Sequence, residues 1–571
     1  RRACGTRCEA HGLMAHVATP EHDAGRGREA EAGYDYDWIV VGSGFGGSVA
    51  ALRLAEKGYR VALLETGRRL RDGDFAKTGW NLRRMFWLPS LGLVGPSRIS
   101  IFKDIFIASG TGVGGGSLVY ANTLYRAKPS FFAHPQWAAL NDWSAALQPH
   151  YTTAERMLGV KEVPWDSDGQ QLLRKIGQHF GVADSFRRTP CGVFFGDPGV
   201  TIPDPYFGGA GPSRTGCTRC GSCTMGCGVG AKNTLVKNYL WFAERAGVRI
   251  LPETQVTDIR PLDGPDGSDG TSGYAVHTRR STTWHAGSAK PLRARGVVVA
   301  AGALGTNQLL AHCRLAGGLP GLSARLGKLV RTNSESILAV TLPDDTLKPA
   351  RDVAISASVH VSHDTHIELV TYGEKGSVLK LFFTLLTGDG TRLTRPFKLL
   401  GQMVRHPLRL LRSLSPVHWG RRTVIFLVMQ SLDNAIEFVA RRGLLGGVSL
   451  ATRQDPLNPN PTFIQDGFDA ADWLAKETGG IAQSMATEAL LNIPTTAHIL
   501  GGAVIGADAD SGVVDHNGRA FGYQNLIVCD GSILPANPGV NPSLTITALA
   551  EQIMSAVPPK PAYGNQSATT V

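Results

Sequence analysis

A short apolar strand that runs straight into a glycine-rich turn constrains the fold of this chain more than any other stretch. Tyr36-Asp37-Trp38-Ile39-Val40-Val41 leads into Gly42-Ser43-Gly44-Phe45-Gly46-Gly47, and a helical pattern continues through Leu54. Gly42, Gly44 and Gly47 have the spacing G-x-G-x-x-G: a glycine for the tight turn, one for close approach of a pyrophosphate, one for packing helix on strand. The phosphates then face the free N–H groups at the helix N-terminus, where the dipole also favours anions. A second apolar strand, Val61-Ala62-Leu63-Leu64, ends at Glu65, an acid suited to ribose hydroxyls and unfavourable to a 2′-phosphate. The pattern predicts an α/β, Rossmann-like dinucleotide-binding domain and does not by itself choose between FAD and NAD.

The remaining pieces of that domain lie far along the chain. Val297-Val298-Val299-Ala300 opens into Ala301-Gly302-Ala303-Leu304-Gly305-Thr306, a second turn of the backbone-approach type before a helix. Leu526-Ile527-Val528-Cys529 stops at Asp530-Gly531, and Asn541-Pro542-Ser543 caps a helix from Leu544. A nucleotide domain whose first strand is near residue 40 and whose last is near 528 must admit a second domain between them. At 571 residues there is material for three or four domains, or for one large two-domain enzyme. Glycine, 69 of 571, gathers at turns and forms no low-complexity tract, and no internal repeat is evident. Helical patterns at Tyr151–Leu158 and Gln170–Phe180 precede a Gly/Pro loop over 196–216, and Asp263–Gly273 is linker-like.

The expected division assigns 34–125, 215–330 and 510–557 to the dinucleotide domain, with 71–104 as a lid. Residues 126–214 and 331–509 fall to a substrate domain built on a mainly antiparallel sheet with helices. Residues 1–33, polar and irregular, are expected to be a disordered extension, and 558–571 a tail.

Cys217, Cys220, Cys223 and Cys227 have the ferredoxin-like spacing C-x2-C-x2-C-x3-C on a loop rich in glycine. Gly228 follows where ferredoxins carry Pro, and no second quartet exists. An iron–sulfur cluster, a zinc site and unligated thiols or disulfides all remain open from the spacing. The scattered remainder, Cys4, Cys8, Cys191, Cys313 and Cys529, is no disulfide framework, which favours a reducing, cytoplasmic setting.

The net charge of +11 is uneven: residues 392–422 hold eight Lys/Arg and no acid. Lys398, Arg405, Arg409 and Arg412 fall on one helical stripe, with Leu400, Met403, Val404, Leu411 and Leu414 elsewhere and Pro407 interrupting. The segment is expected either to meet an anionic membrane peripherally or simply to face solvent. No nucleic-acid-binding motif accompanies the charge. No apolar run reaches the 18 or so residues that span a bilayer.

Taken together, six ordered blocks resemble the glucose–methanol–choline (GMC) family of flavin oxidoreductases, and within it the cholesterol oxidase branch, over residues 34–557. They are Val41–Ser48, Gly112–Val119, Ala301–Thr306, His498–Gly502, Asp530–Ser532, and Gly539–Pro542 with Thr545–Glu551. The resemblance implies non-covalent FAD. It assigns Gly114, Gly115, Gly116 and Ser117 to the flavin, and Val256, Gly302, Asp530 and Gly531 to cofactor contact. It also aims the helix from Leu544 at the flavin N1/C2 carbonyl.

The chemistry it implies needs a base for a hydroxyl proton and a partner for the hydroxyl oxygen while a hydride leaves the carbinol carbon. His498 and Asn541 match the family's active-site pair, with Ile499 where the family commonly has Pro. Glu368, in His366-Ile367-Glu368-Leu369, resembles the steroid-oxidase glutamate that shuttles a proton in double-bond isomerisation, and Glu374 is its rival. The expected activity is oxidation of a sterol or 3β-hydroxysteroid to the ketone, with Δ5 to Δ4 isomerisation left open and oxygen or a redox carrier as acceptor. The alternative is an FAD/Fe–S dehydrogenase of another bulky alcohol that passes electrons to a redox carrier.

Overall fold

The computed structural model describes residues 33–262, 269–283, 290–443 and 447–561. Residues 1–32 of the expected extension, 562–571 of the tail and 263–268 of the linker-like stretch lie outside the described residues.

The apolar runs that flank the glycine turns form the centre of one sheet. In spatial order its parallel strands are Arg249–Leu251, Val61–Leu64, Tyr36–Val41, Leu292–Val299 and Leu526–Val528. Strands buried on both faces read as continuous rather than alternating apolar runs. Ile39, Val40, Leu63, Val297 and Val298 are accordingly inaccessible to solvent. Register does the functional work. Val41 lies between Leu64 and Val299, and Val299 pairs with Val528, so three sequence-distant strands end together and their turns leave from one edge. That carboxyl edge is where open α/β sheets take their ligands. The first half of Leu292–Val299 instead pairs antiparallel with Tyr274–Arg280, which pairs with Thr254–Pro261.

A second, seven-stranded antiparallel sheet runs Phe383–Leu385, Ile481–Met485, Ser336–Thr341, Thr423–Gln430, Thr365–Val370, Ile355–His360 and Arg187–Arg188. Period-two alternation sorts its residues. On Thr365–Val370, Ile367 and Leu369 pack with Leu172, Leu173 and Ile176 of helix Asp168–His179 and with Ala470, Ala471 and Leu474 of helix Gln465–Thr478. His366 and Glu368 therefore point to the opposite face. The basic segment forms two helices, Thr394–Arg405 and Pro407–Leu414, broken where Pro407 cannot donate an N–H. Among the described residues no helix is long and apolar enough to cross a membrane.

Candidate active site

Two glycine turns remote in sequence close on each other at the strand edge. Gly42 has φ +99, and a Cβ there would lie 2.3 Å from the Ala300 carbonyl oxygen; one on Gly47 would lie 1.9 Å from the Gly42 oxygen. A Cβ on Gly115, at φ +52, would lie 2.6 Å from Gly44 Cα. Gly44 differs: a Cβ there would meet nothing within 4 Å, and the same holds for Gly302 at φ +77. Open space in front of the first helix N-terminus, bounded by backbone that tolerates no side chain, is a cradle of the kind a pyrophosphate needs. Gly46 was not singled out by the motif, yet a Cβ there would fall 1.7 Å from the Cys529 oxygen, so helix Phe45–Glu56 rests directly on the end of the last parallel strand.

Of the other expected cofactor residues, Glu65, Ser117 and Asp530 are fixed by hydrogen bonds to these turns. Glu65 accepts from Ser43 N–H at 3.1 Å, Ser43 Oγ at 2.6 Å, Gly67 N–H at 2.8 Å and Gly112 N–H at 3.2 Å. A ribose hydroxyl would have to share this carboxylate with them. Ser117 Oγ donates to the Gly114 carbonyl at 2.7 Å and accepts from Leu235 N–H at 3.0 Å, fixing the turn Gly115–Leu118 that contains Gly116. Asp530 is buried and accepts from Gly302 N–H at 2.8 Å, Thr306 Oγ1 at 2.6 Å and, through its other oxygen, Ser532 N–H at 2.8 Å. It thereby ties Gly302–Leu315 to the turn Gly531–Ile533. Val256 sits buried beside a register shift in Thr254–Pro261.

Valine at position 44 is expected to fill the cradle, since its Cβ would meet nothing within 4 Å. Gly44→Val should fold with an unchanged far-ultraviolet spectrum but elute without FAD. Normal flavin occupancy would remove the pyrophosphate from this turn.

His498, Asn541 and Glu368 come together although they arise from three separate parts of the chain. Asn541 precedes helix Ser543–Ser555, and its Nδ2 lies 3.3 Å from Glu368 Oε2 and 3.4 Å from His498 Nε2. Glu368 Oε1 and Asn541 Oδ1 are buried without a hydrogen-bond partner among the described residues, so hydrogen-bonding capacity beside His498 is left unmet. Glu374, the rival, is 75% exposed and pairs with Arg421 at 3.4 Å.

Glu335 completes the group and had no signal in the sequence. Its Oε1 bonds His498 Nδ1, and its Oε2 accepts from Ala497 N–H at 2.8 Å. A carboxylate only accepts, so the imidazole proton sits on Nδ1 and Nε2 is left free to take a proton. Burial disfavours the imidazolium, but the charge and hydrogen bond of Glu335, with the charge of Glu368, hold the His498 pKa above the ordinary histidine value. Burial pushes the Glu368 carboxyl up to about 8, against the opposing pull of His498 and the Asn541 amide. Two proton-transfer groups with displaced pKa values thus flank one buried amide.

The iron–sulfur or zinc site that the cysteine spacing left open finds no support in the geometry. Among the described residues no group of three or more His, Cys, Asp or Glu is placed to hold a metal ion. Cys217, Cys223 and Cys227 turn into apolar packing against Val163, Cys191, Val193, Ala231 and Val353, whereas Cys220 is exposed. Burial pushes the Cys217 thiol up to about 11 and the Cys223 thiol up to about 12. All seven described cysteines are free. The loop instead braces the cofactor turn: buried Lys232 donates to the carbonyls of Leu118, Tyr120 and Cys223 at 3.1, 2.7 and 3.0 Å.

Three family models and several known proteins are similar to this chain. The GMC oxidoreductase N-terminal and C-terminal family models match residues 212–318 and 446–550, and a model of NAD(P)-binding Rossmann-like domains matches 40–72. A cholesterol oxidase of Mycobacterium tuberculosis (strain ATCC 25618 / H37Rv) is 48% identical over 539 residues, 92% of either chain. One of Acinetobacter baumannii is 42% identical over 542 residues, 94% of this chain and 97% of its own. The crystal structure of pyridoxine 4-oxidase from Mesorbium loti superposes with a TM-score of 0.58 at 15% identity, covering 91% of this chain and 98% of that one, a likeness of fold. With identity of this extent joined to the family's own segments, the chain belongs to the GMC oxidoreductase family.

Proposed function

We propose that the protein oxidises the 3β-hydroxyl of a sterol to the ketone and, with Glu368, moves the Δ5 double bond to Δ4, with oxygen as the electron acceptor. The observation that carries this reading is the meeting of His498 Nε2 and the Glu368 carboxyl at one Asn541 amide, with buried acceptors left open beside it. The names of the two relatives described above support the sterol. FAD is the family's cofactor, and the cradle at Gly42, Gly44 and Gly47, the turn Gly114–Ser117, and Gly302 with Asp530 fit it. When bound, it supplies the acceptor for the hydride.

The chain's own residues do the rest. Asn541 Nδ2 holds the hydroxyl oxygen, and His498 Nε2 takes its proton, with the resulting imidazolium stabilised by Glu335. Glu368, lying on the sheet face turned toward the pair, takes a proton from C4 and returns it to C6. The alternative of electrons leaving singly through a cysteine cluster has no ligand set among the described residues.

Anaerobic mixing with a panel of sterols, long-chain alcohols and aryl alcohols tests the reading through bleaching of the bound flavin, with oxygen then admitted. Sterols should bleach it fastest, and oxygen should restore the colour. Faster bleaching by another alcohol class, or recovery only with an added dye, would overturn substrate or acceptor respectively.

A further inference from the structure

We propose that the paired helices Thr394–Arg405 and Pro407–Leu414 dock the protein on an anionic lipid bilayer. Each helix carries three faces. Arg395 and Leu399 are buried, and Met403 and Leu410 pack toward Leu385, Leu399 and Ala489, so one face grips the protein. Phe397, Leu400, Val404, Leu408, Leu411 and Leu414 recur every three or four residues, yet they are 55–73% exposed. A helix of a water-soluble domain ordinarily turns such a stripe inward, and contiguous exposed apolar patches mark contact surfaces. Between the two faces run Lys398, Arg405, Arg409 and Arg412, all exposed. Arg405, Arg409 and Arg412 pair with no carboxylate among the described residues, and no Asp or Glu occurs from 390 to 432.

An apolar stripe flanked by cations and lying along the surface fits the boundary of acyl chains and anionic headgroups. A second copy of the chain fits less well, because two-fold pairing of the same stripe would set each basic flank against its twin. The helices also pack against the segment that leads to His498 along the chain. Arg395 donates to Asn492 Oδ1 at 2.9 Å, six residues before His498, and Thr394–Arg405 packs on helix Ala486–Leu491.

Sedimentation of the holoenzyme with sterol-free vesicles tests this, using phosphatidylcholine with and without phosphatidylglycerol. Binding is expected to the anionic vesicles, weakened by salt and lowered roughly tenfold or more by Leu408→Asp with Leu411→Asp. Arg405→Glu with Arg409→Glu should remove the salt dependence. Oxidation of a detergent-dispersed alcohol should be unchanged in all variants, which separates loss of docking from failure of the sterol reading. Absence of binding by the unaltered protein, binding indifferent to the leucine substitutions, or a solution dimer that those substitutions dissociate would each overturn the proposal.

Discussion

Replacing His498 with alanine is expected to slow reduction of the bound flavin by alcohol by about 10²–10⁴-fold, the usual cost of losing a positioned proton-transfer group, while FAD remains bound. Retention is expected because the hydrogen bonds described for His498 run to Thr496, Glu335 and Asn541, none of them a cradle residue. The companion substitution Glu335→Gln separates orientation from charge. Glutamine keeps the side chain's shape and one acceptor oxygen able to take Nδ1–H, at the expense of the bond from Ala497 N–H, and the charge that raises the histidine pKa is gone. Only neutral His498 accepts the hydroxyl proton, so activity is lost as pH falls through its pKa. With that pKa raised, the acid limb of kcat/KM should lie above the ordinary histidine value in the native enzyme and move to lower pH in Glu335→Gln. An acid limb that stays in place would remove Glu335 from its positioning role, and an unimpaired reductive half-reaction in His498→Ala would remove the histidine.

What could be read from the sequence was local. Gly42, Gly44 and Gly47 announce themselves because strand, turn and helix are contiguous, and Ile39 to Val41 read as a buried strand without knowledge of their neighbours. Glu335 could not be found in this way. It stands 163 residues from His498, after Asn333 and Ser334 in the left-handed region at φ +58 and +48, conformations that composition does not reveal. Asn333 Nδ2 donates to the Val540 carbonyl at 3.1 Å, so the same kinked segment that presents Glu335 also abuts the residue before Asn541. The contact joins stretches that are remote in the chain and meet only in the folded structure.

The cysteines illustrate the opposite failure. Spacing along a loop states how far apart thiols lie in the chain, not where Sγ points, and Cys217, Cys223 and Cys227 joined the apolar cluster around Cys191 while Cys220 faced outward. The basic segment was legible as amphipathic, but which face met the protein depended on Leu385 and Ala489, supplied by other elements.

Glu368→Gln should uncouple the two halves of the proposed reaction. A Δ5-3-ketosteroid supplied directly bypasses oxidation, and its conversion to the conjugated 4-en-3-one should fall by about 10²–10⁴-fold, because glutamine cannot carry a proton between carbons. Oxidation should suffer less, since His498 and Asn541 remain in place. In the native enzyme the carboxyl must be ionised to accept the C4 proton, and with its pKa pushed up to about 8 by burial, isomerisation should climb through that pH and level off above it. A readout independent of catalysis follows from linkage. A carboxyl whose pKa is higher folded than unfolded binds more protons in the native state, so its contribution to stability is full below its ordinary pKa of 4.5 and is lost as pH rises through about 8. The substitution deletes that term, so the loss of thermal stability between acid and mildly alkaline pH should be smaller in Glu368→Gln than in the native protein. Equal isomerisation rates in the two proteins would show that the proton moves by another group. An unchanged pH dependence of stability would show that Glu368 is not held protonated in the fold.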